Sequence, residues 1–141
     1  MSLVLDASLT LSWFFKDERT PGADAVLTEV TEHGAVVPAL WRLEVANALQ
    51  MALRRKRIDA GFRDRALTQL SRLSIAADPD TDAHAWTGAL QLADRFQLTL
   101  YDAAYLELAQ RRRLPLATLD RELREAAAAL GIALLGVDPS N

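Results

Sequence analysis

Cysteine is absent from the 141-residue chain, which excludes disulfide bonds, thiolate metal sites and a cysteine nucleophile. Histidine occurs only at positions 33 and 84, where neither residue has metal-ligand spacing or a nearby acid at a fixed offset. We therefore expect His33 and His84 on the surface. No apolar run reaches the roughly 18 residues of a membrane helix, and the N-terminus lacks the basic start of a signal peptide. These absences favour a globular protein of the cytoplasm.

Lysine is scarce as well, because 14 of the 16 basic residues are arginine. This bias fits phosphate binding, and it fits genome composition equally well. The net charge of −3 argues against a nucleic-acid partner, but the charges are unevenly distributed. Residues 42–72 carry eight basic side chains against three acidic ones, and residues 78–107 carry six acids against one arginine. We expect the basic runs 54–57 and 111–113 to hold phosphates.

Several common catalytic motifs are also missing. The chain has no phosphate-binding P-loop, no dinucleotide-binding glycine motif and no nucleophile elbow. The few aromatic residues do not alternate with basic ones as in a base-stacking platform. We expect the helix core to contain Trp13, Phe14, Phe15, Trp41 and Trp86.

Short apolar runs alternate with helical patterns along the chain. Strands are predicted over residues 2–5, 35–37, 74–77, 115–119 and 132–135. Helices are predicted over residues 9–15, 23–32, 40–57, 59–72, 81–96, 102–112 and 120–130, with Ser8 as the cap of the first. This order predicts one α/β domain over residues 1–141, with a mainly parallel five-stranded sheet flanked by helices.

Two acids directly follow predicted strands. Asp6 comes after Leu-Val-Leu and Asp120 after Leu-Ala-Thr-Leu. Because ligands of open α/β sheets bind at the carboxyl ends of the strands, both side chains should project from the same edge. The simpler interpretation of each is a helix N-cap.

Two further acids lie on apolar helix faces. Glu44 shares a face with Leu40, Ala48 and Met51, and a buried acid there is costly unless it is paired. A salt bridge to an arginine or a bound metal cation would each offset the cost of burying this charge. Asp102 precedes an inward face that contains Tyr105, and it is alternatively an N-cap.

Four converging carboxylates would repel one another, and a hard divalent cation would relieve the repulsion. Mg²⁺ at such a site activates water and stabilises the charge of a phosphodiester under attack. Ser8 and Thr118, each two residues from an acid, are candidates to hydrogen-bond the carboxylates or metal-bound waters. Equally, Ser8 can be interpreted as a helix cap and Thr118 as an ordinary strand residue.

The segments around the four acids resemble the acidic motifs of PIN-domain nucleases, most closely the toxins of bacterial VapBC toxin–antitoxin pairs. The matching segments are LVLDAS, LEVANAL, LTLYDAAYLELA and LATLDREL, which start at residues 3, 43, 98 and 116. The resemblance implies that Asp6 and Asp102 are the principal metal ligands and that Glu44 and Asp120 complete the site. Thr118 matches the family's hydroxyl before the last acid.

The resemblance also implies an endoribonuclease that depends on Mg²⁺ or Mn²⁺ and cleaves RNA. It further implies a homodimer, and a cognate antitoxin that joins it in a heterotetramer or larger assembly and covers the site with its tail. A basic residue of that tail is expected to enter the acidic pocket.

Two other functions are compatible with acids at strand ends. A phosphoacceptor receiver domain needs a lysine at the end of a later strand, and the only lysines, Lys16 and Lys56, lie elsewhere. A non-catalytic PIN-like interaction module would need all four acids to be caps or salt-bridge partners. Metal binding distinguishes this module from a nuclease.

Overall fold

The computed structural model describes residues 2–137, and its centre is a five-stranded sheet in which every pairing is parallel. The strands lie in the order β3-β2-β1-β4-β5. Their bounds are β1 Val4–Leu5, β2 Ala35–Val37, β3 Ile75–Ala77, β4 Leu116–Ala117 and β5 Leu134–Leu135. The α/β prediction with a five-stranded parallel sheet is confirmed.

Helices connect the successive strands. They are α1 Ala7–Ser12, α2 Pro21–His33, α3 Trp41–Arg54, α4 Ala60–Ser71, α5 Thr81–His84, α6 Leu90–Phe96, α7 Leu100–Arg112 and α8 Arg121–Ala129. A 3₁₀ turn spans Lys16–Glu18, and a π-helical turn, Ala85–Ala89, joins α5 to α6. Within residues 2–137 no helix is both long enough and apolar enough to cross a membrane.

The central strands are buried on both faces. Leu3, Val4, Leu5 and Leu116 are each at most 1% exposed, as expected for strands covered by helices on either side. The register pairs Leu5 with Ala117, so the residues that follow β1 and β4 emerge side by side. This pairing sets the position of Asp6 relative to Thr118.

Several helix boundaries differ from the prediction. The backbone of Asp6, not Ser8, caps α1, because Ser8 already lies in the first turn of that helix. Helix α7 begins two residues early, since the Thr99 hydroxyl caps it by accepting a hydrogen bond from the Asp102 N–H. The predicted helix 81–96 is interrupted by the π turn.

One predicted core residue is on the surface. Trp86 lies in the π turn with 87% of its surface exposed, whereas Trp13 and Trp41 are 5% exposed. The expectation for Trp86 was wrong because it assumed an unbroken α-helical face, and the wider π turn changes the direction in which side chains point. Phe14 and Phe15 are half-buried against the core.

Glycine is required between α2 and β2. Gly34 has a φ of +77°, and a Cβ at this position would lie 2.8 Å from the carbonyl oxygen of Ser74. A side chain would therefore be strained by the backbone conformation and would also collide with neighbouring backbone. The turn allows β2 to pair closely with β3.

A buried ion-pair network holds the C-terminal half of α7 to the end of β3. Arg111 donates to Asp78 Oδ2 at 2.5 Å and to Glu107 Oε2 at 2.7 Å, and the side chains of these acids are 1% and 8% exposed. Burial alone would raise the pKa of Asp78, but the Arg111 hydrogen bond contributes to holding it below its ordinary value. The prediction that Arg111 holds phosphate near the acids was wrong, because Arg111 is committed to this network.

Candidate active site

Asp6 is the most buried of the four acids, with 6% of its surface exposed. Its Oδ2 atom accepts hydrogen bonds from the Ser8 and Thr118 hydroxyls, each at 2.7 Å. Burial raises the pKa of Asp6, these two hydroxyls partly offset the rise, and the charge of Asp120 adds to it. Among the described residues no side chain donates to Oδ1, and the Ser8 backbone N–H also contributes to lowering the pKa of the carboxyl.

Thr118 connects Asp6 to Asp120. Its hydroxyl donates to Asp6 and accepts a hydrogen bond from the Asp120 N–H at 3.0 Å. Asp120 is also the N-cap of α8, because its Oδ1 accepts from the Leu123 N–H at 2.8 Å. The N-cap interpretation of Asp120 is therefore correct, and it accounts for one of the two carboxylate oxygens.

Glu44 lies in the first turn of α3 and is held by a tyrosine from α7. The Tyr105 hydroxyl donates to Glu44 Oε1 at 2.6 Å. Burial raises the pKa of Glu44, the Tyr105 hydrogen bond lowers it, and the charges of Asp6 and Asp102 raise it further. Burial and the Glu44 carboxylate likewise raise the pKa of Tyr105, so the phenol keeps its proton and acts as a donor.

Asp102 is the third residue of α7 and is half-buried. Thr99 is the cap of this helix, so capping does not account for the Asp102 carboxylate. Burial raises the pKa of Asp102, and the charges of Asp120 and Asp6 raise it further. Behind Asp102, the inward face of α7 is fully buried as predicted, with Tyr105 at 0% exposed.

The four acids are electrostatically one group. The pKa of Asp6 responds to Asp120, that of Glu44 to Asp6 and Asp102, and that of Asp102 to Asp120 and Asp6. In residues 2–137 none of the ion pairs includes any of these acids. The arginine partner considered for Glu44 is therefore not present in the described part of the chain.

The donor set fits a hard divalent cation. The four acids provide only carboxylate oxygens as ligands, which are the ligands that hard cations prefer. Their negative charges repel one another because no protein cation compensates them in the described residues. Among the described residues, the group of three ligand atoms within 4.8 Å of one another is the exposed Glu29, Glu32 and His33 of α2, so no three of the four site acids converge that closely. Mg²⁺ suits an open site, since it binds through one or two carboxylates and keeps several waters.

Comparison with known proteins identifies the fold family. The PIN domain family matches residues 3–129, which is most of the chain. The chain belongs to the PIN domain family. It is 32% identical over 130 residues to Ribonuclease VapC3 of Pyrobaculum aerophilum, and the alignment covers 92% of this chain and 98% of that protein. The resemblance seen in the acidic motifs is thereby confirmed.

Two solved structures have a fold similar to that of this PIN domain. The crystal structure of PAE2754 from Pyrobaculum aerophilum has a TM-score of 0.65 and 28% identity, covering 89% of this chain and 87% of that chain. The crystal structure of VapBC2 from Rickettsia felis, bound to a DNA fragment from their promoter, has a TM-score of 0.65 and 13% identity. It covers 98% of this PIN domain and 100% of that chain.

Two residues at the site were not predicted. Tyr105 was assigned only to an apolar face, although its position three residues after Asp102 in an inward-facing helix indicates a buried phenol that needs an acceptor. Arg124 donates to the carbonyl oxygens of Thr118 at 2.7 Å and Leu135 at 3.0 Å. It thereby holds the ends of β4 and β5 together behind the cluster, a contact that no sequence spacing indicates.

Proposed function

We propose that this PIN domain is a metal-dependent endoribonuclease and the toxin of a two-component toxin–antitoxin system. The observation that supports the proposal is that Asp6, Glu44, Asp102 and Asp120 have no ion-pair partner among the described residues, while the Thr118 hydroxyl joins Asp6 to Asp120. The identity with Ribonuclease VapC3 supports RNA as the substrate. Such a substrate implies activity in the cytoplasm.

Asp6 and Asp102 would be the principal ligands of Mg²⁺ or Mn²⁺, with Glu44 and Asp120 completing the site. When bound, the cation supplies a water of lowered pKa and stabilises the charge on the phosphodiester. The chain's own groups set the geometry around it. Ser8 and Thr118 hold Oδ2 of Asp6, so Oδ1 would be the oxygen that contacts the cation, and their hydrogen bonds favour the charged form of Asp6.

Tyr105 performs the same task for Glu44. It fixes one carboxylate oxygen and favours the charged form, so the second oxygen can bind a cation or order a water. Asp120 holds its cap hydrogen bond with Oδ1, so Oδ2 would be the oxygen that serves the cluster. Together these contacts limit the movement of carboxylates that would otherwise separate by repulsion.

The proposed partners are a second copy of the chain and a cognate antitoxin. A VapBC complex among the structural relatives supports the antitoxin, and the acidic character of the site favours inhibition by a basic side chain of its tail. Titrating antitoxin against cleavage tests this point. Inhibition that survives the removal of every basic residue of the tail would contradict it.

Cleavage of RNA by the purified chain tests the enzymatic proposal. We expect cleavage with Mg²⁺ or Mn²⁺, none with a chelator, and a loss of more than about 100-fold in Asp6→Asn, beyond the range usual for residues outside the ligand set. Asp94→Asn, which alters an exposed acid of α6, is the matched control and should cleave normally. Unchanged cleavage by a folded Asp6→Asn protein would contradict the proposal and favour a non-catalytic module or another site.

A further inference from the structure

A groove of about 310 Å³ lies between α1 and α3. Its lining includes Ser8, whose hydroxyl binds Asp6, and the arginines Arg55 and Arg57. Since α3 rises by about 1.5 Å per residue, Glu44 and Arg55 are about 16 Å apart along the helix. The groove therefore has among its lining residues both a side chain bonded to the proposed cleavage site and a pair of arginines, at a separation that a few nucleotides span.

The walls of the groove combine apolar and cationic groups. Leu11, Ala48 and Met51 provide the apolar part. The guanidinium of Arg57 lies 4.6 Å from the centre of the Phe15 ring, and Phe15 in turn contacts Phe62 with ring centres 6.1 Å apart. A guanidinium stacked on an aromatic ring presents its other face to a base and its N–H groups to phosphate.

The positive charge continues beyond this groove. Arg57 also lines a second, more open depression of about 600 Å³, together with Lys56 and Arg65. Two acids lie near these arginines, and both are exposed. Glu18 lines the groove, and Asp17 forms an exposed ion pair with Arg57 at 3.9 Å. Exposed pairs of this kind contribute little, so a phosphate can replace Asp17 as the partner of Arg57.

We infer that the α1–α3 groove binds the single-stranded RNA on one side of the scissile phosphate, with Arg55 and Arg57 contacting its backbone and the Arg57–Phe15 pair contacting a base. This inference rests on the proposed nuclease function. Two features favour RNA over a protein occupant. Ser8 of the groove lining is hydrogen-bonded to Asp6, and the groove's arginines would repel a basic antitoxin tail while attracting phosphates.

The test measures binding and cleavage separately. A labelled single-stranded oligoribonucleotide is titrated against the Asp6→Asn protein, with and without Arg55→Ala and Arg57→Ala. We expect the double substitution to raise Kd about tenfold or more. The slope of log Kd against log salt concentration should fall by about 0.7 for each phosphate that the protein no longer binds. In the cleaving enzyme, the same substitutions should raise KM and change kcat less than about twofold.

Arg54→Ala is the matched control, because Arg54 belongs to the same basic run but lines neither depression. Arg57→Lys keeps the charge and removes the planar stack, so it should retain the salt dependence and lose part of the affinity. An equal loss in Arg54→Ala would overturn the inference, as would unchanged RNA binding in the double variant. Weakened antitoxin binding with unchanged RNA binding would also overturn it.

The two proposals fail in different ways. If the wild-type protein cleaves RNA and the arginine variants bind and cleave like it, the groove is refuted and the nuclease function stands. If the wild-type protein does not cleave RNA under any metal condition, the nuclease proposal fails. RNA binding that nevertheless depends on Arg55 and Arg57 would still support the groove as an RNA site.

Discussion

Thr118 and Asp6 are separated by 112 positions in the chain and are joined by a buried hydrogen bond of 2.7 Å. The parallel pairing of β1 with β4 brings them together, because Leu5 is in register with Ala117. The same hydroxyl accepts a hydrogen bond from the backbone of Asp120. One side chain thus fixes the relative positions of two acids of the cluster.

Thr118→Val removes this hydroxyl at nearly constant volume. The pKa of Asp6 should rise further, since the Thr118 hydrogen bond lowers it, and the carboxylate should lose orientation. We expect the affinity for Mg²⁺ or the cleavage rate to fall about 10- to 100-fold, as is usual when a partner of a metal ligand is removed. Thr68→Val, on the exposed side of α4, is the control. A Thr118→Val protein with normal metal affinity and cleavage would contradict this role.

Tyr105→Phe removes the donor to Glu44. Because that hydrogen bond lowers the pKa of Glu44, its loss should raise the pKa and move the acidic limb of the pH–rate profile to higher pH. The free energy of unfolding should fall by about 1 kcal/mol for the missing hydrogen bond. Tyr101→Phe on the same helix is the control, since Tyr101 is 65% exposed. An acidic limb that does not move in Tyr105→Phe would count against the assignment of Glu44.

The pH dependence of stability should reveal the cluster without any substrate. The pKa values of Asp6, Glu44 and Asp102 are raised in the folded protein, so the folded state binds protons more tightly than the unfolded state does. Stability of the metal-free protein should therefore fall as the pH rises from about 4 through the folded pKa values. Asp78, whose pKa is lowered, acts in the opposite direction, as its contribution is lost when the pH falls.

Denaturation of the metal-free protein at a series of pH values checks this sign. The unfolding free energy should fall as the pH rises above about 4, and Mg²⁺ should add more stability near neutral pH than near pH 4. Asp6→Asn should flatten the pH dependence and stabilise the metal-free protein at neutral pH. A metal-free protein that gains stability steadily from pH 5 to pH 7.5, with no difference in Asp6→Asn, would refute the electrostatic coupling.

Arg111→Met tests the second acidic cluster, which we assign to stability alone. Asp78 and Glu107 would remain buried without their cation, so the free energy of unfolding should fall by about 3–5 kcal/mol. Arg112→Met should have a much smaller effect, since Arg112 is more exposed and lies 4.0 Å from Asp78. Molecules of Arg111→Met that remain folded should bind Mg²⁺ normally. Intact stability would show that the network is not needed for the fold.

The sequence was most informative where the pattern was local. Apolar runs followed directly by Asp6 and Asp120 predicted a common edge of a parallel sheet, and the structure has those strands as neighbours. The apolar face around Glu44 indicated that this acid needs a partner. Its observed partner, the Tyr105 hydroxyl, comes from a helix 61 positions later in the chain, and no local pattern specifies such a contact.

Where the prediction was wrong, tertiary contacts had overridden local pattern. The runs 54–57 and 111–113 are alike in sequence, yet Arg111 is paired within the fold whereas Arg55 and Arg57 line an open groove. Trp86 fits an α-helical core position, and the π turn places it on the surface. For Ser8 the sequence offered a helix cap or a hydrogen bond to a carboxylate, and the second is observed, with Asp6. For Arg111 the contact that decides its role is with Asp78, 33 positions away in the chain. For Trp86 the exposure follows from the geometry of the π turn.

The nuclease proposal requires that the four carboxylates together bind a divalent cation. Calorimetric titration of Mg²⁺ and Mn²⁺ into the chelator-treated protein tests this most directly, with Asp6→Asn and Asp94→Asn measured in parallel. We predict saturable binding to the wild-type and Asp94→Asn proteins and a large loss of binding in Asp6→Asn. Absence of binding to the wild-type protein, or equal binding to all three proteins, would contradict the claim.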